Sequence, residues 1–160
     1  MSRAFIAIGS NLQQPRIQVE QAFAGLDGLP QTRVIQRSSL YRTAPVGYDN
    51  QPNFINAVAE VETDLTPLAL LHELLALENK QGRERPFPNA PRVLDLDLLL
   101  YNDTIMNMPE LTLPHPRMHT RGFVLLPLAE LAAELVIPQR GTVAELAAQC
   151  LDQGVEKLVD

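Results

Sequence analysis

Along the first hundred residues the apolar side chains change their repeat back and forth, and the order of those changes limits the fold more than any single motif does. Residues 4–8 form a short apolar run that ends at the turn-forming Gly9-Ser10-Asn11, the mark of a strand. Val19, Ala22, Phe23 and Leu26 then recur at i, i+3, i+4 and i+7, between Pro15, which suits a helix start, and Gly28, which suits a stop. Residues 32–43 are β-rich. Residues 54–62 alternate, with Ile55, Ala57, Ala59 and Val61 on one side and Phe54, Asn56, Val58, Glu60 and Glu62 on the other, so the two segments are expected to pair antiparallel. Thr66-Pro67 opens a second helix as cap and first-turn proline, and Leu68, Leu71, Leu74 and Leu75 carry it to Gly82. After an irregular stretch from Arg83 to Pro91, a strand carrying Asp95 follows. The order strand, helix, strand, strand, helix, strand is that of the ferredoxin-like split βαβ unit (βαββαβ), an α+β fold whose antiparallel sheet carries its helices on one face. Helical patterns at 123–133 and 143–151, and a last short strand at 156–159, add a C-terminal helical extension.

With 160 residues, 46% of them hydrophobic and 20% charged, the chain is expected to be one domain spanning 1–160 with a sizeable core. Its apolar runs are far shorter than the roughly 20 residues of a membrane span, and its start lacks the apolar region of a secretory signal. A cytoplasmic protein without a membrane partner is therefore expected. The one cysteine, Cys150, cannot make an internal disulfide and lies in an apolar pattern, as a core thiol would. A net charge of -6 argues against a nucleic-acid binder while leaving room for local basic pockets.

The order of elements does not assign a function, because the same arrangement serves RNA-binding modules, regulatory domains and enzymes. The run Pro91-Arg92-Val93-Leu94-Asp95-Leu96-Asp97-Leu98-Leu99-Leu100-Tyr101 is more informative. Strand alternation puts Asp95 and Asp97 on one face, roughly 6.6 Å apart, with Leu94, Leu96 and Leu98 on the other. Like charges at that distance repel by about 2.5 kcal/mol at an effective dielectric near 20. The pair is either the wet face of a half-exposed strand or a set of hard oxygen ligands for Mg²⁺ carrying nucleotide phosphates. No phosphate-cradling glycine loop is present, so arginines would have to hold the phosphates; Arg83, Arg85 and Arg92 are candidates beside the acids. A proline-stiffened stretch before the third helical pattern adds His115, between Pro114 and Pro116, together with Arg117, His119 and Arg121. Phe54 and Phe123 are either plain core or the two sides of a slot for a flat heteroaromatic ring, with Asn56, on the same strand face as Phe54, bonding the ring's edge. The turn-rich stretch 44–53 is long for a hairpin loop, and loops of that size often carry function.

Taken together, Ala7-Ile8-Gly9-Ser10-Asn11-Leu12, Ser39-Leu40-Tyr41-Arg42-Thr43-Ala44-Pro45, Phe54-Ile55-Asn56-Ala57, the Pro91 to Asp97 run, and Pro114-His115-Pro116 with Arg121-Gly122-Phe123 closely resemble 6-hydroxymethyl-7,8-dihydropterin pyrophosphokinase, from about residue 4 to residue 138. The resemblance implies transfer of pyrophosphate from ATP to the hydroxymethyl group of the pterin in folate biosynthesis, with release of AMP. It implies that Asp95 and Asp97 bind two Mg²⁺ ions bridging the triphosphate, that Arg83 and Arg92 neutralise charge as the bond at the β-phosphorus breaks, and that His115 and Arg121 also hold ATP. It further implies that Thr43, Ala44, Val46, Phe54, Asn56 and Phe123 line the pterin slot, and that Glu78, Leu98 and Thr112 lie near the nucleotide. Asp97 would also orient the attacking hydroxyl. The expected partners are these two small molecules, with no nucleic acid, and the expected working form is a monomer. The chain departs from the family pattern at Asn89-Ala90, where many members have tryptophan and glycine, and at Leu75 and Glu110, where some have polar and basic residues. These changes bear on nucleotide affinity more than on the reaction.

Two rival readings use the same residues. A noncatalytic RNA-binding module shares the element order, and Arg121-Gly122-Phe123-Val124 echoes its aromatic motif, but that motif needs a strand and further aromatics, and only 5% of this chain is aromatic. A noncatalytic pterin- or nucleotide-binding relative would keep the slot and lose turnover; the presence of Asp95, Asp97, Arg83 and Arg92 argues against it.

Overall fold

The computed structural model describes residues 1–11, 14–43, 53–81 and 94–158. The chain runs β1 (Ser2–Ser10), α1 (Pro15–Asp27), β2 (Thr32–Arg37), β3 (Tyr41–Thr43), β4 (Phe54–Thr63), α2 (Pro67–Gln81), β5 (Asp95–Tyr101), two short strands β6 (Met106–Asn107) and β7 (Thr112–Leu113), α3 (Gly122–Ala132), β8 (Val136–Ile137), β9 (Gly141–Thr142), α4 (Val143–Ala148) and β10 (Glu156–Lys157). β1 lies between β4 and β5, and the sheet order is β10-β3-β4-β1-β5 with β2 also on β4, every pairing antiparallel. This is the order of the split unit read from the sequence.

Local chemistry explains most boundaries. Pro15 stands in the first turn of α1, where a missing N–H costs nothing, and Gly28 closes the helix by donating to the carbonyls of Ala24 and Gly25 at 3.2 Å. The Thr66 hydroxyl accepts from the Ala69 N–H at 3.2 Å and caps α2. Residues 32–43, expected as one strand, are two. Ser38 breaks the ladder because its hydroxyl accepts from the Val58 N–H at 2.9 Å, so a side chain takes the place of a backbone partner, while its own N–H donates to the Val58 carbonyl. α2 is also turned relative to expectation. It buries Leu70, Leu74 and Glu78, a line at i, i+4 and i+8, and Leu75 is left 44% exposed.

Apolar layers cover both faces of the sheet. On one face Ile6 and Ile8 of β1, Ala57, Ala59 and Val61 of β4 and Leu96 and Leu98 of β5 meet Val19, Phe23 and Leu26 of α1 and Leu70 and Leu74 of α2. On the other, Phe5, Val58, Leu99 and Leu100 meet Val124, Leu125 and Leu128 of α3 and Val143, Ala147 and Cys150 of the C-terminal part. Each large side chain buried in this way contributes about 1.5–3 kcal/mol. The two helices of the split unit therefore share a face as expected, and the C-terminal extension occupies the opposite one. It covers that face at one end only: Leu99 is 1% exposed, whereas Asp97, two residues earlier on the same side of β5, is exposed.

Candidate active site

The uncovered end of the α3 face is a cleft of about 500 Å³, within the range of small-molecule sites. Its floor is the sheet in register. Tyr41 pairs with Asn56, Asn56 with Gly9 and Gly9 with Asp95, a row running from β3 across to β5; beside it Thr43 pairs with Phe54 and Ala7 with Asp97. The start of α3 supplies one wall, with Thr120, Arg121 and Phe123, and the turn after α4 supplies another, with Gln153 and Val155.

Packing fixes the polar groups of the floor. Asn56 is 5% exposed, and its amide nitrogen donates to the Thr43 hydroxyl at 2.8 Å. The amide lies over Gly9: a Cβ there would come within 3.1 Å of the Asn56 oxygen, so any side chain at that point would require the amide to give by a few tenths of an ångström. Asp95 is half-buried and Asp97 exposed, on the outermost strand of the sheet. Between them the Leu96 N–H, which points away from β1, donates to the buried Glu78 carboxylate at 2.6 Å, fixing this part of the edge strand to α2. Arg121 lines the same cleft, and its guanidinium stands 5.5 Å from the centre of the Phe123 ring, a cation–π distance.

His115 stands beside the acid strand, its N–H donating to the Leu99 carbonyl at 2.9 Å after a cis Leu113–Pro114 bond. Burial pushes its imidazole below the ordinary value; the Asp97 carboxylate pulls the other way, and Arg121 and Arg117 push it further down. Nδ1 accepts from the Arg117 N–H at 3.2 Å, so the neutral ring carries its hydrogen on Nε2.

Of the residues singled out in the sequence, the cleft brings together Thr43, Phe54, Asn56, Asp95, Asp97, Arg121 and Phe123. Glu78, Leu98, Thr112 and His115 stand around β5 and outside the cleft lining. The Leu98 side chain is spent on the α1–α2 core at 3% exposure. Thr112 is half-buried in β7, which packs against β5. Arg83, Arg92, Ala44 and Val46 lie outside the described residues. Glu110 is on the surface, 3.4 Å from His72. Thr120, Gln153 and Val155 were not picked out from the sequence; no local motif marks them, because they reach the cleft only through the docking of the C-terminal part. Ala7 and Gly9 belong to a stretch that was picked out, though without a role for either.

A family model described as 7,8-dihydro-6-hydroxymethylpterin-pyrophosphokinase matches residues 5–133. The 2-amino-4-hydroxy-6-hydroxymethyldihydropteridine pyrophosphokinase of Pseudomonas aeruginosa is 44% identical over 158 residues, 99% of this chain and 98% of that one. The enzyme of the same name from Haemophilus influenzae is 44% identical over 158 residues, 99% of both chains. Among solved structures, a crystal structure of HPPK-DHPS in complex with substrates matches with a TM-score of 0.78 at 12% identity, over 100% of this chain and 49% of that one. The wild-type HPPK-DHPS of Plasmodium falciparum with pteroate matches with a TM-score of 0.75 at 15% identity, over 92% of this chain and 42% of that one. The chain thus spans less than half the length of these solved structures, and at such identities the likeness concerns the fold. The sequence relatives, matched over nearly their whole length, carry the assignment further: the chain belongs to the 7,8-dihydro-6-hydroxymethylpterin-pyrophosphokinase family and shares its reaction, pyrophosphoryl transfer from ATP to the hydroxymethyl group of the dihydropterin in folate biosynthesis.

Proposed function

We propose that this transfer takes place in the cleft between the sheet and the start of α3, with the pterin at its aromatic end and the triphosphate of ATP across the acid pair. The observation that carries the proposal is the shared face: Phe54, Asn56, Asp95 and Asp97 line one cleft of about 500 Å³ with Phe123 above them. The pterin ring lies between Phe54 and Phe123, the Asn56 amide bonds its edge, and Thr43, Ala44 and Val46 complete the slot. Among the described residues no group of three or more His, Cys, Asp or Glu side chains could hold a metal ion. Two carboxylates on their own suit Mg²⁺ that takes its remaining ligands from water and phosphate oxygens, so the residues fit ions arriving with the nucleotide. Asp95 and Asp97 would hold two of them, which supply charge neutralisation across the triphosphate.

The hydroxymethyl oxygen attacks the β-phosphorus, the bond from that phosphorus to the α–β bridging oxygen breaks, AMP leaves with that oxygen, and the hydroxyl proton passes to solvent water. Asp97 orients that hydroxyl. Arg121 and the Nε2–H of His115 face the phosphates and stabilise the charge that shifts onto the departing oxygen, a task to which Arg83 and Arg92, outside the described residues, would add their charges, since such transfer is mainly positioning and electrostatics. Glu78 acts from behind the strand by holding the Leu96 N–H. With its side chain buried, Leu98 meets the nucleotide through its backbone on the outer edge of β5, next to Thr112.

The enzyme acts as a monomer on its two small-molecule substrates, without nucleic acid, in the cytoplasm, where the ATP pool lies; the net charge of -6 supports the exclusion of polyanionic partners. Incubation with ATP, Mg²⁺ and the hydroxymethyl dihydropterin tests the chemistry, with AMP expected in step with pterin diphosphate. ADP as the product would place the attack at the γ-phosphorus and overturn the assignment.

A further inference from the structure

Helix α3 begins without a cap of its own. Its N-cap position is Arg121, which makes no capping hydrogen bond; a guanidinium has no acceptor to offer and is unfavourable at the positive end of a helix dipole. The first N–H of the helix, that of buried Gly122, is satisfied from elsewhere: the Gln153 side-chain oxygen accepts it at 2.8 Å. The nitrogen of the same amide donates to the Thr120 carbonyl at 3.0 Å. One side chain thus grips the backbone on both sides of Arg121. The turn that carries it is seated by its own geometry, with the Gln153 N–H donating to the Cys150 carbonyl at 3.2 Å. Gly122 is what admits the turn: a Cβ at that position would come within 3.2 Å of Cys150 Cβ and its carbonyl oxygen, and within 3.1 Å of the Gln153 oxygen. Gln153 stands 20 residues past residue 133, where the match to the family model ends.

We propose that Gln153 is a positioning residue for Arg121: by capping α3 from another part of the chain, it frees the N-cap position for an arginine and holds that arginine toward the triphosphate. The proposal rests on the reading that Arg121 holds ATP phosphates. Steady-state kinetics of the full chain with Q153M, R121A and the double variant tests it, with melting temperatures measured alongside. In the wild-type background Q153M, which keeps the size of glutamine and loses both hydrogen bonds, is expected to raise KM for ATP roughly fivefold, the scale of a lost cap, with KM for the pterin changed less than about twofold. In the R121A background the same change is expected to leave KM for ATP where R121A alone puts it, while melting temperature falls equally in both backgrounds. A Q153M enzyme with wild-type KM for ATP, beside an impaired R121A, overturns this proposal alone. Equal effects of Q153M in both backgrounds overturn it too, since Gln153 would then act without Arg121. A wild-type KM for ATP in R121A removes the phosphate role of Arg121 and this proposal with it. If Q153M does not fold, Q153N, too short to reach both backbone groups, is measured against the same expectations.

Discussion

At Gly9 a single added atom would bear on the slot proposed for the pterin. The Asn56 amide rests over its bare Cα and is tied to Thr43, so Gly9→Ala would push a buried amide that has little room to retreat. KM for the pterin is expected to rise roughly tenfold with KM for ATP nearly unchanged, because displacements well under an ångström at a positioning group are felt in binding and rate; an unchanged pterin KM would separate Asn56 from the substrate. The two acids call for the opposite kind of change. Asp97 is exposed and on an edge strand, so Asp97→Ala removes charge without opening a cavity. Turnover is expected to fall by a hundredfold or more with an unaltered melting temperature, and near-normal turnover would dismiss its role with Mg²⁺.

At the level of elements, one carboxylate adds a polar tie between α3 and β3 to the apolar packing of that helix on the sheet. Glu130 accepts from the Ser39 N–H at 3.0 Å, the Ser39 hydroxyl at 3.1 Å and the Tyr41 hydroxyl at 2.8 Å, so a single side chain joins the helix bearing Phe123 and Arg121 to the strand bearing Thr43. Burial, and then the Glu130 carboxylate, push the Tyr41 hydroxyl far above its ordinary range, so it stays a donor. Glu130→Ala is expected to cost about 2 kcal/mol in urea unfolding and to lower kcat/KM. Lys157→Ala, which removes a half-exposed partner 3.9 Å from Glu130, should change stability by less than about 0.5 kcal/mol. The same elements show what could be read from sequence and what could not. α1 and the alternation of β1, β4 and β5 were legible because burial on a sheet or helix face is written in periodicity, and α1 buries the four residues so identified, Val19, Ala22, Phe23 and Leu26. The division of residues 32–43 was hidden because it depends on the Ser38 hydroxyl meeting Val58, a partner 20 residues away. The cleft floor lay within the quoted motifs, whereas Gln153 and Val155 become cleft residues only through the packing of α3 and α4 on the same face of the sheet.

For the molecule as a whole, no group of three or more His, Cys, Asp or Glu among the described residues could hold a metal on its own, so the Mg²⁺ proposed at Asp95 and Asp97 would come with the nucleotide. EDTA should therefore abolish turnover while leaving the melting temperature of the free protein unchanged. ATP should stabilise the protein by about 2.7 kcal/mol at a hundred times its Kd, and only when Mg²⁺ is present; a protein that melts earlier in EDTA alone would refute this. The described walls of the cleft come from residues 7–9, 43, 54, 56, 95, 97, 120, 121, 123, 153 and 155, that is, from nearly the whole length of the chain. A chain still being synthesised therefore lacks the last wall of the cleft until residue 155 has left the ribosome, and occupancy of the complete site reports that the last turn has docked.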